Sequence, residues 1–217
     1  MSRRQVPARR SQRQHVVISM VDYLVGRIER ACIDNRPGDA IRDLLRLLRR
    51  SRRSAAARRY ALCQLADLYL ASGDLDHALI AIHRGLRLFP EHDYLHYLLG
   101  YALSRRGRWR AAGASLRRAC MLCPHSAEYH RALGWCLHQQ GWHHMGEELL
   151  RKAISLSPTH AWAQADLAVC LLRQRKADEA LHYARTAVYL RPSDPKIVEV
   201  LRAARRLAGR RPSEQSE

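Results

Sequence analysis

Leu86-Arg87-Leu88-Phe89-Pro90 closes an apolar run with a proline, and the same event recurs at Cys120-Met121-Leu122-Cys123-Pro124, Ile154-Ser155-Leu156-Ser157-Pro158 and Tyr189-Leu190-Arg191-Pro192. The spacing is constant: 124−90, 158−124 and 192−158 are each 34. Proline has no amide N–H and crowds the preceding turn, so it stops one helix and suits the opening of the next. A fixed period of this length marks a repeat array. Seventeen residues before each of the first three prolines stand Gly73, Gly107 and Gly141 (90−73, 124−107 and 158−141), where a missing Cβ permits the positive φ of a helix end. Each unit is therefore a helix, a glycine-centred turn and a second helix. The fourth unit has Arg175 at that place, and its turn is expected to be made differently.

Outward from the periodic part, residues 1–19 hold Arg3, Arg4, Arg9, Arg10 and Arg13 with no acidic residue, which reads as a disordered basic tail. A helical stripe then begins near Met20 with Val21, Leu24, Val25, Ile28 and Cys32. Asn35, Pro37 and Gly38 form a turn, and Ile41, Leu44, Leu45 and Leu48 share the face of a second helix. Residues 20–58 are thus a degenerate hairpin followed by an Arg-rich stretch, Arg49 to Arg59, that is either a helix extension or a linker. Pro195 opens a last amphipathic helix over 195–209, with Ile197, Val200, Leu201, Ala204 and Leu207, which suits the cap of an open array; residues 210–217 are a polar tail.

The repeat phases show small and large residues in register. The small position of the first helix holds Ala66, Gly100, Gly134 and Ala168, each after a leucine. The second helix has Ala78, Ala112, Gly146 and Ala180, then Gly85, Ala119, Ala153 and Ala187. In period and in these positions the chain resembles the tetratricopeptide repeat family, with units at 59–92, 93–126, 127–160 and 161–194. Four times 34 covers 136 of the 217 residues. The resemblance implies an all-α, right-handed superhelical solenoid of antiparallel helix hairpins, here with a C-terminal capping helix. Departures from the family pattern are His96, His130 and Gln164 at a core position, expected to disturb packing at the start of each first helix, and Ala184 at a bulky position, expected to loosen the last unit.

The resemblance also implies a binding face formed by the first helix of each unit. The matching residues are Tyr60, then Tyr94, Tyr97, Tyr101 and Arg105, then Arg131, Trp135 and His138, then Trp162 and Arg173. Tyr94, Tyr97 and Tyr101 stand at i, i+3, i+7 and share one helix face. Tyrosine, tryptophan and arginine are the residues in which binding energy concentrates. The expected partner is a protein segment, extended or helical, with apolar side chains and some acidic ones that pair with the arginines, as in chaperone-like scaffolds. The positions where some family members clamp a carboxylate hold Cys63, Asp67, Tyr97, Tyr101, Arg131 and Trp135, so that clamp is not expected.

Composition sets the competing reading. There are 38 Lys plus Arg against 20 Asp plus Glu, a net charge of +18. Residues 1–58 carry 15 Arg and 5 acids, net +10; the remainder carries 38−15 = 23 basic and 20−5 = 15 acidic residues, net +8. The excess concentrated outside the regular repeats suits weak, sequence-independent nucleic-acid binding as the alternative function. Six cysteines with no secretory signal or membrane-length apolar run point to reduced thiols in the cytoplasm, although an Arg-rich, acid-free start also fits an organelle transit segment. The Cys120-x-x-Cys123 pair has no second CxxC and reads as packing rather than a metal site. No catalytic triad, carboxylate pair or phosphate loop is legible, so neither an enzyme nor a cofactor is expected.

Overall fold

The computed structural model describes the backbone of residues 9–209, with side chains described from Met20 onward. Among the described residues there are eleven helices and no strand. The chain divides between Pro90 and Glu91 into two compact units.

The first unit contains α1 (Arg9–Ile33), α2 (Pro37–Arg50), α3 (Ala55–Ala71) and α4 (Leu75–Leu88). α1 starts at Arg9, well before Met20. Arginine and glutamine are good helix formers, and nothing between Arg9 and Met20 breaks a helix. The rest of the expected tail lies outside the described residues. The Arg-rich stretch is divided: Arg49 and Arg50 end α2, Ser51 turns the chain by donating Oγ–H to the Leu47 carbonyl at 2.6 Å, and Ser54 caps α3 by accepting from the Ala57 N–H. Ile28, Leu44, Leu47 and Leu62 are fully buried, and buried Asp43 is paired with Arg27 and Arg46.

The second unit contains α5 (Asp93–Arg105), α6 (Trp109–Leu122), α7 (Ala127–Gln139), α8 (His143–Leu156), α9 (Ala161–Arg173), α10 (Ala177–Leu190) and α11 (Pro195–Gly209). α5/α6, α7/α8 and α9/α10 are the hairpins, and α11 packs on α9 and α10. Small residues set the closeness of each pair. A Cβ on Gly146 would lie 2.7 Å from the Gly134 carbonyl oxygen, so α7 and α8 meet backbone to backbone. Leu116, Leu150, Leu167, Leu171 and Ile197 are fully buried, each such side chain contributing about 1.5–3 kcal/mol.

The Arg175 turn is not built differently: Arg175 adopts φ 63°, the left-handed conformation of Gly107 (φ 71°), and repeats its hydrogen bonds, with Lys176 N–H to Leu171 O matching Arg108 N–H to Leu103 O. His130 and Gln164 are accommodated at the start of their helices, although His130 Nδ1 and Gln164 Oε1 are left without a hydrogen-bond partner. Both are buried, and each donates to the carbonyl of the proline six residues earlier, His130 Nε2 to Pro124 O at 2.8 Å and Gln164 Nε2 to Pro158 O at 3.0 Å, which ties the helix-breaking turn to the next helix. Ala184 does not stand in an open unit: it is fully buried in a cluster with Ala168, Leu201 and Ala204, so α11 supplies the bulk that alanine lacks.

Candidate protein-binding face

In the second unit the first helices of successive hairpins, α5, α7 and α9, lie side by side. Their N-termini are fixed by side chains in one repeat phase: His92 Nδ1 accepts from Leu95 N–H, Ser126 Oγ from Tyr129 N–H and His160 Nδ1 from Ala163 N–H. Because Nδ1 of His160 is an acceptor, its Nε2 carries the proton and donates to Glu128 Oε2 at 2.9 Å.

Glu128 is the hub of a network across the three helices. Tyr97 on α5 donates its hydroxyl to Glu128 Oε1 at 2.8 Å; Arg131, one turn on, holds both Glu128 oxygens at 2.8 and 2.6 Å. Arg131 then reaches α9, where Nη1 lies 2.6 Å from Asp166 Oδ2. Burial pushes the Glu128 carboxyl up, but hydrogen bonds from Arg131, His160 and Tyr97 outweigh it and hold the group at about 2. For Asp166, burial with Glu128 nearby prevails over the pull of Arg131, and its carboxyl is raised. Two carboxylates thus share one guanidinium. Burial and the adjacent Glu128 charge also raise the Tyr97 phenol, which stays protonated.

Beside this network the tyrosines form a ladder. Ring centroids are 5.9 Å apart for Tyr94–Tyr97, 6.5 Å for Tyr97–Tyr101 and 5.1 Å for Tyr97–Tyr129. Tyr129 donates its hydroxyl to Asp93 on α5 at 2.9 Å. Below the last rung opens a cavity of about 220 Å³, lined by Tyr101, Ser104 and Arg105 of α5, Trp109 and Leu116 of α6, and Arg131, Ala132, Trp135 and Cys136 of α7. Tyr101, Trp109 and Trp135 supply aromatic rings to the lining, and Leu116 and Ala132 aliphatic surface. Arg105 lies over the Tyr101 ring with Cζ 5.9 Å from the centroid, placing a cation at the rim.

Tyr101, Arg105, Arg131 and Trp135 therefore converge on one cavity, with Tyr94 and Tyr97 leading to it. The other expected residues do not join them. His138 is fully buried between Trp135 and His143, with Nδ1 3.1 Å from His143 Nδ1, and has no surface to offer. Arg131, though it lines the cavity, already has two carboxylates and is not open to a partner's acid. Trp162 packs on the cluster of Ala161, Ala165, Ala187 and Ile197. Arg173 is exposed in the last turn of α9, and Tyr60 lies half-buried on α3 of the first unit. The sequence reading missed Ser104, Trp109 and the Glu128 hub, although Glu128 and Arg131 stand at i, i+3, a spacing that signals a pair on a helix.

The thiols are free. Burial pushes Cys120 up to about 11 and Cys170 up to about 12. Among the described residues, no three of His, Cys, Asp and Glu are placed to hold a metal ion, and no helix is long and apolar enough to cross a membrane.

This architecture of helix hairpins is that of an all-α repeat solenoid, and the chain belongs to the tetratricopeptide repeat family: profiles of that family match residues 63–127, 127–160 and 146–204. No curated protein matches the sequence. Among solved structures, MamA (residues 41 to the end) from Desulfovibrio magneticus RS-1 is similar at 20% identity over 81% of this chain and 97% of that one, with a TM-score of 0.67. TTC0263, a thermophilic tetratricopeptide repeat protein of Thermus thermophilus, is similar at 21% identity over 84% and 98%, TM-score 0.69. YrrB, described as a tetratricopeptide repeat protein with an unusual peptide-binding site, is similar at 20% identity over 81% and 88%, TM-score 0.60. At these identities the likeness is one of fold. The fold is that of protein-interaction scaffolds.

Proposed function

We propose that the second unit grips a segment of a partner protein along α5, α7 and α9, with one large apolar side chain seated in the cavity walled by Tyr101, Trp109 and Trp135. The carrying observation is this convergence of three aromatic rings, aliphatic side chains and the Arg105 cation on one opening the size of a single side chain. Arg105 at the rim pairs with an acidic residue beside that anchor. The Glu128–Arg131–Asp166 network makes no direct claim on the partner; it holds α5, α7 and α9 in fixed relation so that the cavity exists before binding, which lowers the ordering cost of association. The role is that of a scaffold or chaperone-like adaptor without catalysis, and the six free thiols suit a reducing compartment such as the cytoplasm.

A photo-crosslinking residue placed at position 135 of the full chain, in its native cells, is expected to capture a discrete protein, and one at Arg117 on α6 to capture none. Capture from position 117 alone contradicts the reading.

A second reading rests on a separate observation in the first unit: Arg49, Arg50, Arg52 and Arg53 are all exposed around the α2–α3 turn. Such a cluster suits weak contact with nucleic-acid phosphates. Binding of a duplex should then fall steeply with salt and vanish when the four become Gln; salt-insensitive binding opposes it.

A further inference from the structure

A second and larger cavity, about 540 Å³, lies at the edge of the second unit where two inter-helix turns come together. Arg108, Trp109 and Arg110 enter it from the α5–α6 turn and the first turn of α6; Gln140 and Trp142 enter from the α7–α8 turn. Trp109 lines this cleft and the groove cavity alike, but the other side chains are different ones.

Trp142 is the telling residue. It occupies the N-cap of α8, makes no capping bond and is 60% exposed. Two units earlier the same place holds Asp74, which caps α4 by accepting from His77 N–H at 3.1 Å, and the unit between has Arg108, also without a capping bond (108−74 and 142−108 are both 34). A side-chain cap contributes about 1 kcal/mol. From Arg108 on the cap is absent at each of these turns, Lys176 of α10 included; what sets the Arg108 and Trp142 turns apart is that their side chains line one cleft.

The charge of the cleft is one-sided. Arg108 and Arg110 are exposed, and the first turns of α6 and α8 contain no acidic residue. Two indoles with two exposed guanidinium groups, in a lining that contains no acidic residue, fit a ligand that combines a large apolar side chain with carboxylates. The volume exceeds that of the groove cavity and takes a short stretch of chain. The one neutral polar side chain in the lining, Gln140, has its Nε2 committed to the Trp109 and Cys136 carbonyls at 3.2 and 3.3 Å, so it is spent on holding the turns together. A single-stranded nucleic acid needs cations spread along a groove to follow its phosphates, whereas both arginines here sit within one turn.

We infer that this edge cleft is a second protein-binding site, separate from the groove, for a short acidic segment carrying an aromatic or large aliphatic residue that packs on Trp142 and Trp109. The test is selection of a displayed library of random nine-residue peptides on the full chain, followed by affinity measurement against Trp142→Ala, the pair Arg108→Gln with Arg110→Gln, and Trp135→Ala, all shown to melt like the wild type. The expected result is a class of peptides with an apolar residue flanked by Asp or Glu that loses tenfold or more on Trp142→Ala and on the arginine pair, weakens with salt, and is unchanged by Trp135→Ala. A selection yielding only Trp135-dependent peptides upholds the groove and overturns the cleft. Trp142-dependent peptides without acids overturn it too, as does an oligodeoxythymidine that binds through Trp142 when no peptide does. Loss of groove binding on Trp135→Ala while the cleft class persists separates the two sites.

Discussion

Arg131 on α7 and Asp166 on α9 meet at 2.6 Å, joining successive hairpins at a point where both side chains are largely buried. A residue that by position in the repeat reads as a free cation on the binding face is instead the tie between two repeats. Breaking a buried ion pair from one side leaves an uncompensated charge and costs several kcal/mol; here Glu128 remains, so Asp166→Ala is expected to cost about 2 kcal/mol, read as a lowered thermal midpoint. A midpoint equal to wild type would show the pair to be ornamental.

Glu128 makes the tie acid-sensitive. Its folded pKa lies below the ordinary 4.5, at about 2, so its stabilisation is complete above the unfolded value and is lost as pH falls from there through about 2. Allowing for solvent at its partly exposed side, the loss is about 2 kcal/mol. Asp166 has the opposite sign: its raised pKa lets the native state take a proton early and offsets part of the loss. Glu128→Gln should therefore be less stable than wild type at pH 6, with the gap closing toward pH 2.5. A gap that stays constant contradicts the assignment.

His138 gives a separate pH window. Burial, with His143 and Arg173 nearby, pushes its pKa down to about 4 from an ordinary 6.5, and its Nε2 has no hydrogen-bond partner. Its neutral form is the folded one, so stability is full above about 6.5 and declines as pH falls toward 4. His138→Leu should reduce that decline, the rest belonging to His130, whose burial also lowers its pKa, and should match or exceed wild-type stability at pH 5, since an apolar side chain leaves nothing unsatisfied. An unchanged slope between pH 6.5 and 4 would assign the decline to another group.

Arg175 holds the left-handed turn that glycine holds elsewhere. A non-glycine residue there costs about 1–2 kcal/mol, against which glycine adds unfolded-state entropy. Arg175→Gly is expected to stabilise the protein by about 1 kcal/mol, measured by denaturant unfolding. Destabilisation would mean that the arginine side chain makes a compensating contact.

In an open helix, Gly→Ala gains up to about 1 kcal/mol. At Gly146 the sign should reverse, because the added methyl meets the Gly134 carbonyl at 2.7 Å; a cost of about 2 kcal/mol is expected. A stabilised Gly146→Ala would show that α7 and α8 do not meet as described.

The periodic prolines carry most of the fold in the sequence, because each event they mark is local: a missing N–H, a missing Cβ, a small residue at fixed phase. What the period hides is what depends on contacts a full repeat apart. His138 and Arg131 stand at surface phases, yet burial of the first follows from the closeness of α7 and α8 at Gly146, and neutralisation of the second from Asp166, 35 residues on. The prolines likewise give no sign that His130 and Gln164 would reach back to their carbonyls. Tyr101, Arg105 and Trp135 are legible as one face, but the cavity between them needs Trp109, which enters from a second helix. The Arg175 turn is misread because sequence shows the absence of glycine, not whether the strain is accepted.

The central claim is that partner affinity resides in the cavity between α5 and α7, and it is tested most directly by calorimetric titration of the crosslinked partner's binding segment into the full chain. Trp135→Ala, melting like the wild type, is expected to lose about 2 kcal/mol, roughly 30-fold in Kd, with Tyr101→Ala close behind and Arg117→Ala within about twofold of wild type. Equal affinity for Trp135→Ala and wild type, with a loss at Arg117→Ala, would contradict it and move the binding surface to the second helices.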